Sequence, residues 1–223
     1  MVATALDALV DRVEVMLKDG SNVIYSATEL TEAIRSAIAE LAVGLPAHSV
    51  TEIAAVADTW EYSLTALTGL LGVVEVWYPY LSTSVTYRKA HPVRWRMVDD
   101  ATLLLDERVR PDAAYKLRVF WDKGQTLEGL DAATATTLTG PELGAIVVGA
   151  AGLAVAAYAA QMANAVGVAE EPAKVLREWA RLRLEDFQKR LVRLGAVESA
   201  SEDARVGWWS ADKWDRAGSH LDD

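Results

Sequence analysis

Apolar positions recur at two different periods along this chain, and the changes of period mark its parts. Between residues 3 and 18, Leu6, Leu9, Val10, Val13 and Leu17 follow at steps of three, one, three and four, which lines one face of a helix. Asp19-Gly20-Ser21-Asn22 ends that helix with turn chemistry. A second helix is predicted over 27–43. Ser26 and Glu29 have the S-x-x-E spacing of a capping box, in which each side chain accepts from the other residue's backbone N–H. Leu30, Ile34, Ile38 and Leu41 then repeat every three or four residues, and Gly44 and Pro46 stop the helix. The short connection predicts an antiparallel helical hairpin.

From Ser49 to about Trp121 the period falls to two. Trp60, Tyr62 and Leu64 alternate with Glu61 and Ser63, and Val74, Val76 and Tyr78 with Glu75 and Trp77. Val93, Trp95 and Met97 alternate with Arg94 and Arg96, and Tyr115, Leu117, Val119 and Trp121 with Lys116, Arg118 and Phe120. Such alternation marks half-buried strands. Gly69, Gly72, Pro79, Pro92 and Pro111 punctuate them, and Thr102-Leu103-Leu104-Leu105 is a further weak strand. Four to six short antiparallel strands are predicted, as a small sandwich or as a sheet packed on the helices.

Helical pattern returns after Thr139-Gly140-Pro141, with Pro141 suited to the first helical position. A helix over 141–166 would be about 39 Å long at 1.5 Å per residue. Gly149 and Gly152 each weaken it by roughly 1 kcal/mol relative to Ala, which close packing against a neighbour would offset. Gly167 ends it and Pro172 opens a last helix over 171–194, striped by Leu176, Trp179, Phe187, Leu191 and Leu194, with Gly195 as its C′ residue. The fold class is therefore α+β: a bundle of about four helices with an inserted antiparallel β region and an extended C-terminal tail. The parts are a helical hairpin (1–48), the β region (49–138), the helices completing the bundle (139–195) and the tail (196–223).

Charge and composition narrow the chemistry. The 223 residues carry 22 basic and 32 acidic side chains, a net charge of −10, and are 52% hydrophobic. That balance excludes wholesale disorder and disfavours a protein whose task is gripping nucleic acid. Cys is absent, which removes disulfides, thiolate metal sites and thiol catalysis. The start, with an acid at Asp7 and no basic region, is not that of a signal peptide. Residues 143–169 carry no charge, but Glu142, Glu170 and Glu171 flank them, so a buried helix lined with small residues is expected rather than a membrane span. His48, His91 and His220 are far apart and outside metal-ligand spacing. No phosphate loop and no G-x-S-x-G turn is present. Asp99-Asp100 is expected to serve a turn, and Glu185-Asp186, adjacent on a helix, point in different directions. No catalytic residue, metal or cofactor is expected. Residues 171–194 carry seven basic side chains against four acidic, the pattern of a solvated or interface face.

The tail resists a bland account. Residues 195–223 are acidic, yet hold three of the eight Trp. Trp and Arg are preferred interface anchors. Arg205, Trp208, Trp209, Lys213 and Trp214 are therefore expected to form a docking segment that orders on a partner, the alternative being that it packs on its own domain.

In its order of parts the chain resembles the head–tail adaptor (connector) proteins of tailed bacteriophages. The likeness lies in Val10-Asp-Arg12-Val13, Tyr25-Ser-Ala-Thr-Glu29-Leu, Val73-Val-Glu-Val-Trp77-Tyr-Pro79-Tyr, Leu117-Arg-Val-Phe-Trp121, Leu127-Glu-Gly-Leu-Asp131-Ala-Ala-Thr134 and the Ala-rich run Ile146–Tyr158, across about residues 1–195. The resemblance implies a structural virion protein of the neck, assembled in the host cytoplasm. It would form a homo-oligomeric ring, usually dodecameric, below the portal protein, meeting a tail-side neck protein. Genomic DNA would pass through the channel without sequence-specific binding. It also suggests portal docking for the tail residues. Another neck component, a stopper or tail terminator, shares the lack of a site; a small soluble enzyme with an unrecognised carboxylate site is a further alternative.

Overall fold

A computed structural model describes the backbone of residues 5–21, 23–81, 90–164 and 170–218, and the side chains of these except Asn164, Glu170 and 198–218. The helices are α1 (Ala5–Leu17), α2 (Ala27–Gly44), α3 (Gly140–Asn164) and α4 (Glu170–Gly218). The strands are β1 (Ala47–Ala54), β2 (Glu61–Ser63), β3 (Leu70–Tyr80), β4 (His91–Pro92), β5 (Trp95–Asp99), β6 (Thr102–Leu105) and β7 (Lys116–Lys123). The α+β class with four helices and inserted antiparallel strands is thus as the periods imply. The chain divides into a helical unit, Met1–Leu45 with Thr126–Asp223, and a β unit, Pro46–Gln125.

In the helical unit, local chemistry sets the start of α2. Ser26 Oγ accepts from the Glu29 N–H at 3.3 Å, and Glu29 Oε2 accepts from the Ser26 N–H at 2.8 Å, a complete capping box. The turn before it is built on Asp19, a buried carboxylate only 6% exposed. Its Oδ1 accepts from the Val23 N–H at 3.0 Å, and its Oδ2 from the Ile24 and Tyr25 N–H groups at 3.0 and 2.8 Å. These donors, Tyr25 first, hold the Asp19 carboxyl below its ordinary value of 3.8.

Around α3 the unit is packed on nearly every side. Ala145, Ile146, Val147, Val148, Ala150 and Ala151 are all buried, and at 100° per residue they cover the whole circumference. α1, α2 and α4 supply the other walls, with Leu9, Val13, Leu30, Ile34, Leu41 and Phe187 buried in the same cluster. By length and composition α3 is apolar enough to cross a membrane, and 61% of its most apolar window is buried inside the unit. The two glycines have the expected compensation. A Cβ on Gly149 would lie 2.9 Å from the Phe187 ring, and one on Gly152 would lie 3.0 Å from Leu184 Cγ. Thr139 precedes the first turn, with the Glu142 carboxylate accepting from its backbone N–H; Pro141 sits in that turn one place after Gly140, which opens the helix. The stop expected at Gly167 lies outside the described residues.

The β region and α4 differ from the sequence expectation in their bounds, and the β region begins at Pro46 rather than at 49 because β1 starts at Ala47. The β region ends at Gln125, not at 138. Residues 126–138 belong to the helical unit because Leu127, Leu130 and Leu138 are buried in its core, and the Leu6 N–H donates to the Glu128 carbonyl at 3.0 Å. Asp131 and Ala132 adopt left-handed φ of 50° and 61° in this segment, and the Arg35 guanidinium holds Asp131 at 2.8 Å through Nη2 and 3.0 Å through Nε. The second difference is in α4, which continues through Gly195 to Gly218. Residues 196–218 therefore have helical backbone rather than a chain without regular structure. A glycine inside a helix costs about 1 kcal/mol, which the helix-forming Leu194, Ala196, Glu198 and Ala200 around it offset.

The β unit holds two sheets, β1-β7-β3-β4 and β2-β6-β5, every pair antiparallel. Val76, Tyr78, Leu117, Val119 and Trp121 of the first sheet share one core with Tyr62, Leu103 and Leu105 of the second. Of the two arrangements left open by the pattern, this is the sandwich. Val74, read as inward-facing, is exposed because a register shift between Val73 and Glu75 takes it out of the alternation. Polar tips of the aromatic core are satisfied: Trp121 Nε1 donates to Thr51 Oγ1 at 3.0 Å, and Tyr78 Oη accepts from the Asp112 N–H at 2.7 Å. Asp99 serves the β5–β6 turn as expected, accepting from the Ala101 N–H at 2.8 Å and from Thr102 Oγ1 at 3.0 Å.

The glycine contacts separate two effects of one substitution in one helix. Gly144 has nothing within 4 Å of an added Cβ, so Gly144→Ala should stabilise by up to about 1 kcal/mol through helix propensity. Gly149→Ala should destabilise by about 1–3 kcal/mol from overpacking against the fully buried Phe187 ring. Urea melts of both variants check the opposite signs; stabilisation by both would show that α3 and α4 do not approach this closely. Asp19 gives a pH test. Its lowered folded value means its contribution is complete above 3.8 and is lost as pH falls through the folded value. Asp19→Asn, with one acceptor oxygen for three N–H donors, should melt earlier than wild type at about pH 7, and the gap should close below pH 3.8. A gap independent of pH would remove the charge from this account.

Candidate interaction surfaces

α4 bears the densest charge in the helical unit, and most of it is paired along the helix. Arg181 is bonded to Glu178 at 2.6 Å and to Glu185, Arg190 to Asp186 at 3.1 Å, and Lys174 to Glu171 at 3.3 Å. The Arg181 guanidinium holds the Glu178 carboxyl below its ordinary range, chiefly by their hydrogen bond. Glu185 and Asp186 thus have separate partners, as their adjacency implies. Arg183 stacks over the Trp179 ring at 5.0 Å. Among the described residues, Arg177, Lys189 and Arg193 have no ion-pair partner.

Beside this helix runs a groove of about 590 Å³. Ala156 of α3 and Ala180 and Leu184 of α4 form its floor, and Arg177, Arg181 and Lys189 stand on its rim with Glu185 and Gln188. The groove exists because Ala156 and Ala180 are too small to fill the space beside the close α3–α4 contact. At one end Gln188 Nε2 donates to the Glu40 carboxylate of α2. The basic run was legible in the sequence; the groove was not, because its floor comes from two helices far apart in the chain.

A second concavity, about 870 Å³, lies on the β2-β6-β5 sheet. Glu61, Leu104 and Arg96 stand in one row across its three strands. Arg94, Arg96 and Arg108 line it without an ion-pair partner among the described residues, while Asp58, Glu61, Asp106 and Glu107 line it as well. Its charge is mixed, so it does not form the continuous basic track that a phosphate backbone requires.

Among the described residues no three His, Asp or Glu side chains converge to hold a metal. His48 Nδ1 lies 2.6 Å from Asp122 Oδ1 across the β1–β7 pair, and His91 is on β4; His220 lies outside the described residues. The docking residues Arg205, Trp208, Trp209, Lys213 and Trp214 fall within the backbone span of α4, and their side chains lie outside the described residues. No protein-family model and no curated protein matches the chain.

The mixed charge on the β unit generates a binding test. The full-length protein should bind duplex DNA weakly, and Arg94→Ala/Arg96→Ala/Arg108→Ala should leave its salt dependence almost unchanged. A fluorescence-anisotropy titration at several salt concentrations checks this. A steep slope in log Kd against log salt that flattens in the triple variant would show the three arginines acting together on phosphate.

Proposed function

We propose that the protein is a head–tail adaptor of a tailed bacteriophage, a structural ring below the portal that joins capsid to tail and continues the DNA channel. The reading begins from the sequence likeness to adaptor proteins. It is supported by a helical unit interrupted in sequence by a β unit. The observation that carries it furthest is α4. The core of the helical unit takes its last described side chain from Leu194, yet the helix runs to Gly218. At 1.5 Å per residue, residues 196–218 add about 35 Å of helix past that point. Trp208, Trp209 and Trp214 are spaced along this extension, where burial of each ring against a partner removes about 150–250 Å² from water. On this reading they anchor the chain to the portal, with Arg205 and Lys213 pairing with acidic groups there, and DNA passes a channel surface that does not hold phosphate.

Truncation after Gly195 tests this directly. The shortened chain keeps every core side chain described on α4, so its helical circular dichroism should still melt cooperatively near the wild-type temperature. It should fail to attach to portal-bearing heads in a sedimentation assay, and the full-length Trp208→Ala/Trp209→Ala/Trp214→Ala variant should fail likewise. Normal attachment by either protein would overturn the assignment of the tail to portal docking.

A further inference from the structure

We propose that the α3–α4 groove is the seat of a subunit contact, and that its occupant is the outer seam of α2 from a second copy of this chain. This deepens the ring reading and rests on it. On α2, Glu32, Ser36, Ala39 and Val43 follow at steps of four, three and four, the spacing of a helix–helix seam. All four are exposed, Val43 to 87%, and they lie opposite the core-facing Leu30, Ile34 and Leu41. The helical unit thus has a second helical stripe that its own core leaves uncovered.

Seam and groove match in three respects. In shape, the seam presents Ser36 and Ala39, small enough for close approach, to a floor made by Ala156, Ala180 and Leu184. In length, the groove spans α4 from Arg177 to Lys189, about 18 Å, and the seam from Glu32 to Val43 spans about 17 Å at 1.5 Å per residue. In charge, Glu29 and Glu40 flank the seam and Glu32, paired with Arg35, lies on it, whereas Arg177 and Lys189, without an ion-pair partner among the described residues, stand at the two ends of the groove. Within one chain α2 is held to α4 at the Gln188 end through Glu40, so its outward seam cannot also turn into its own groove. The contact is heterologous, groove to seam, and such a contact propagates from copy to copy and closes into a ring when the rotation allows.

Charge reversal on the full-length chain tests the contact, with light scattering reporting mass in the presence and absence of purified portal. Arg177→Glu/Lys189→Glu should reduce the assembly to single chains, at least a tenfold loss of association, and Glu29→Lys/Glu32→Lys should do the same. A mixture of the two variants should recover the full assembly with the two variants alternating, since reversed groove meets reversed seam and native groove meets native seam, and the chain carrying all four changes should recover it alone. Circular dichroism melts confirm that each variant is folded. Because the chain has no native cysteine, Ala39→Cys/Arg181→Cys gives a second readout: oxidation should produce a ladder of covalently joined chains. A wild-type assembly that survives both charge reversals and gives no ladder overturns this contact while leaving the ring reading in place. A wild-type chain that stays single even with portal overturns both.

Discussion

The helical unit depends on how closely α3 and α4 approach. Gly149 faces the ring of Phe187 and Gly152 faces Leu184, each so near that a methyl group would not fit without movement. The absence of two side chains is what lets the buried Phe187 sit against the α3 backbone, and removal of such a ring typically costs about 3–5 kcal/mol. Two interior glycines weaken a helix by roughly 1 kcal/mol each, so the packing they permit exceeds their cost. The same contact fixes where α4 lies along α3. It therefore fixes the groove beside them, whose floor is the next pair of small residues, Ala156 and Ala180.

Around this contact α1, α2 and residues 126–138 share the apolar core and are further tied by polar devices. Asp19 gathers three backbone donors where α1 hands over to α2, and the capping box at Ser26 starts α2 one turn later. Arg35 reaches from α2 to Asp131, fixing a segment with left-handed residues that also places Leu127 and Leu130 in the core. With the helical unit defined on these sides, the backbone of α4 continues as helix past Gly195 to Gly218, through the Trp-rich sequence.

Much of this was legible in the sequence where the signal was local. The capping box could be read from Ser26 and Glu29 because both partners lie within one turn, and the sandwich strands from strict alternation about Leu117, Val119 and Trp121. Gly149 and Gly152 could be read as a close-packing site because nothing else justifies two glycines in so apolar a helix. What was missed depended on distant partners. Leu127, Leu130 and Leu138 carry no period, so only their burial among the helices assigns them to that unit. Gly195 has the composition of a helix end, but a C′ glycine is an option and not an instruction, and the flanking helix formers override it. The basic residues of α4 were visible; that Arg177 and Lys189 border a groove became visible only when Ala156, more than twenty positions earlier, was placed beside Ala180.

Together these features describe a helical unit with an exposed seam on α2, a groove beside α4 and a helical backbone that continues to Gly218, which on the proposed reading serve assembly. The claim that joins them is that the chain works as many copies on one portal. Native mass spectrometry of the complex between the full-length protein and purified portal measures this most directly. The expected result is a symmetric complex containing a full ring of this chain, with copy number fixed across concentrations. A complex with one or two copies, or no complex at all, would contradict the account.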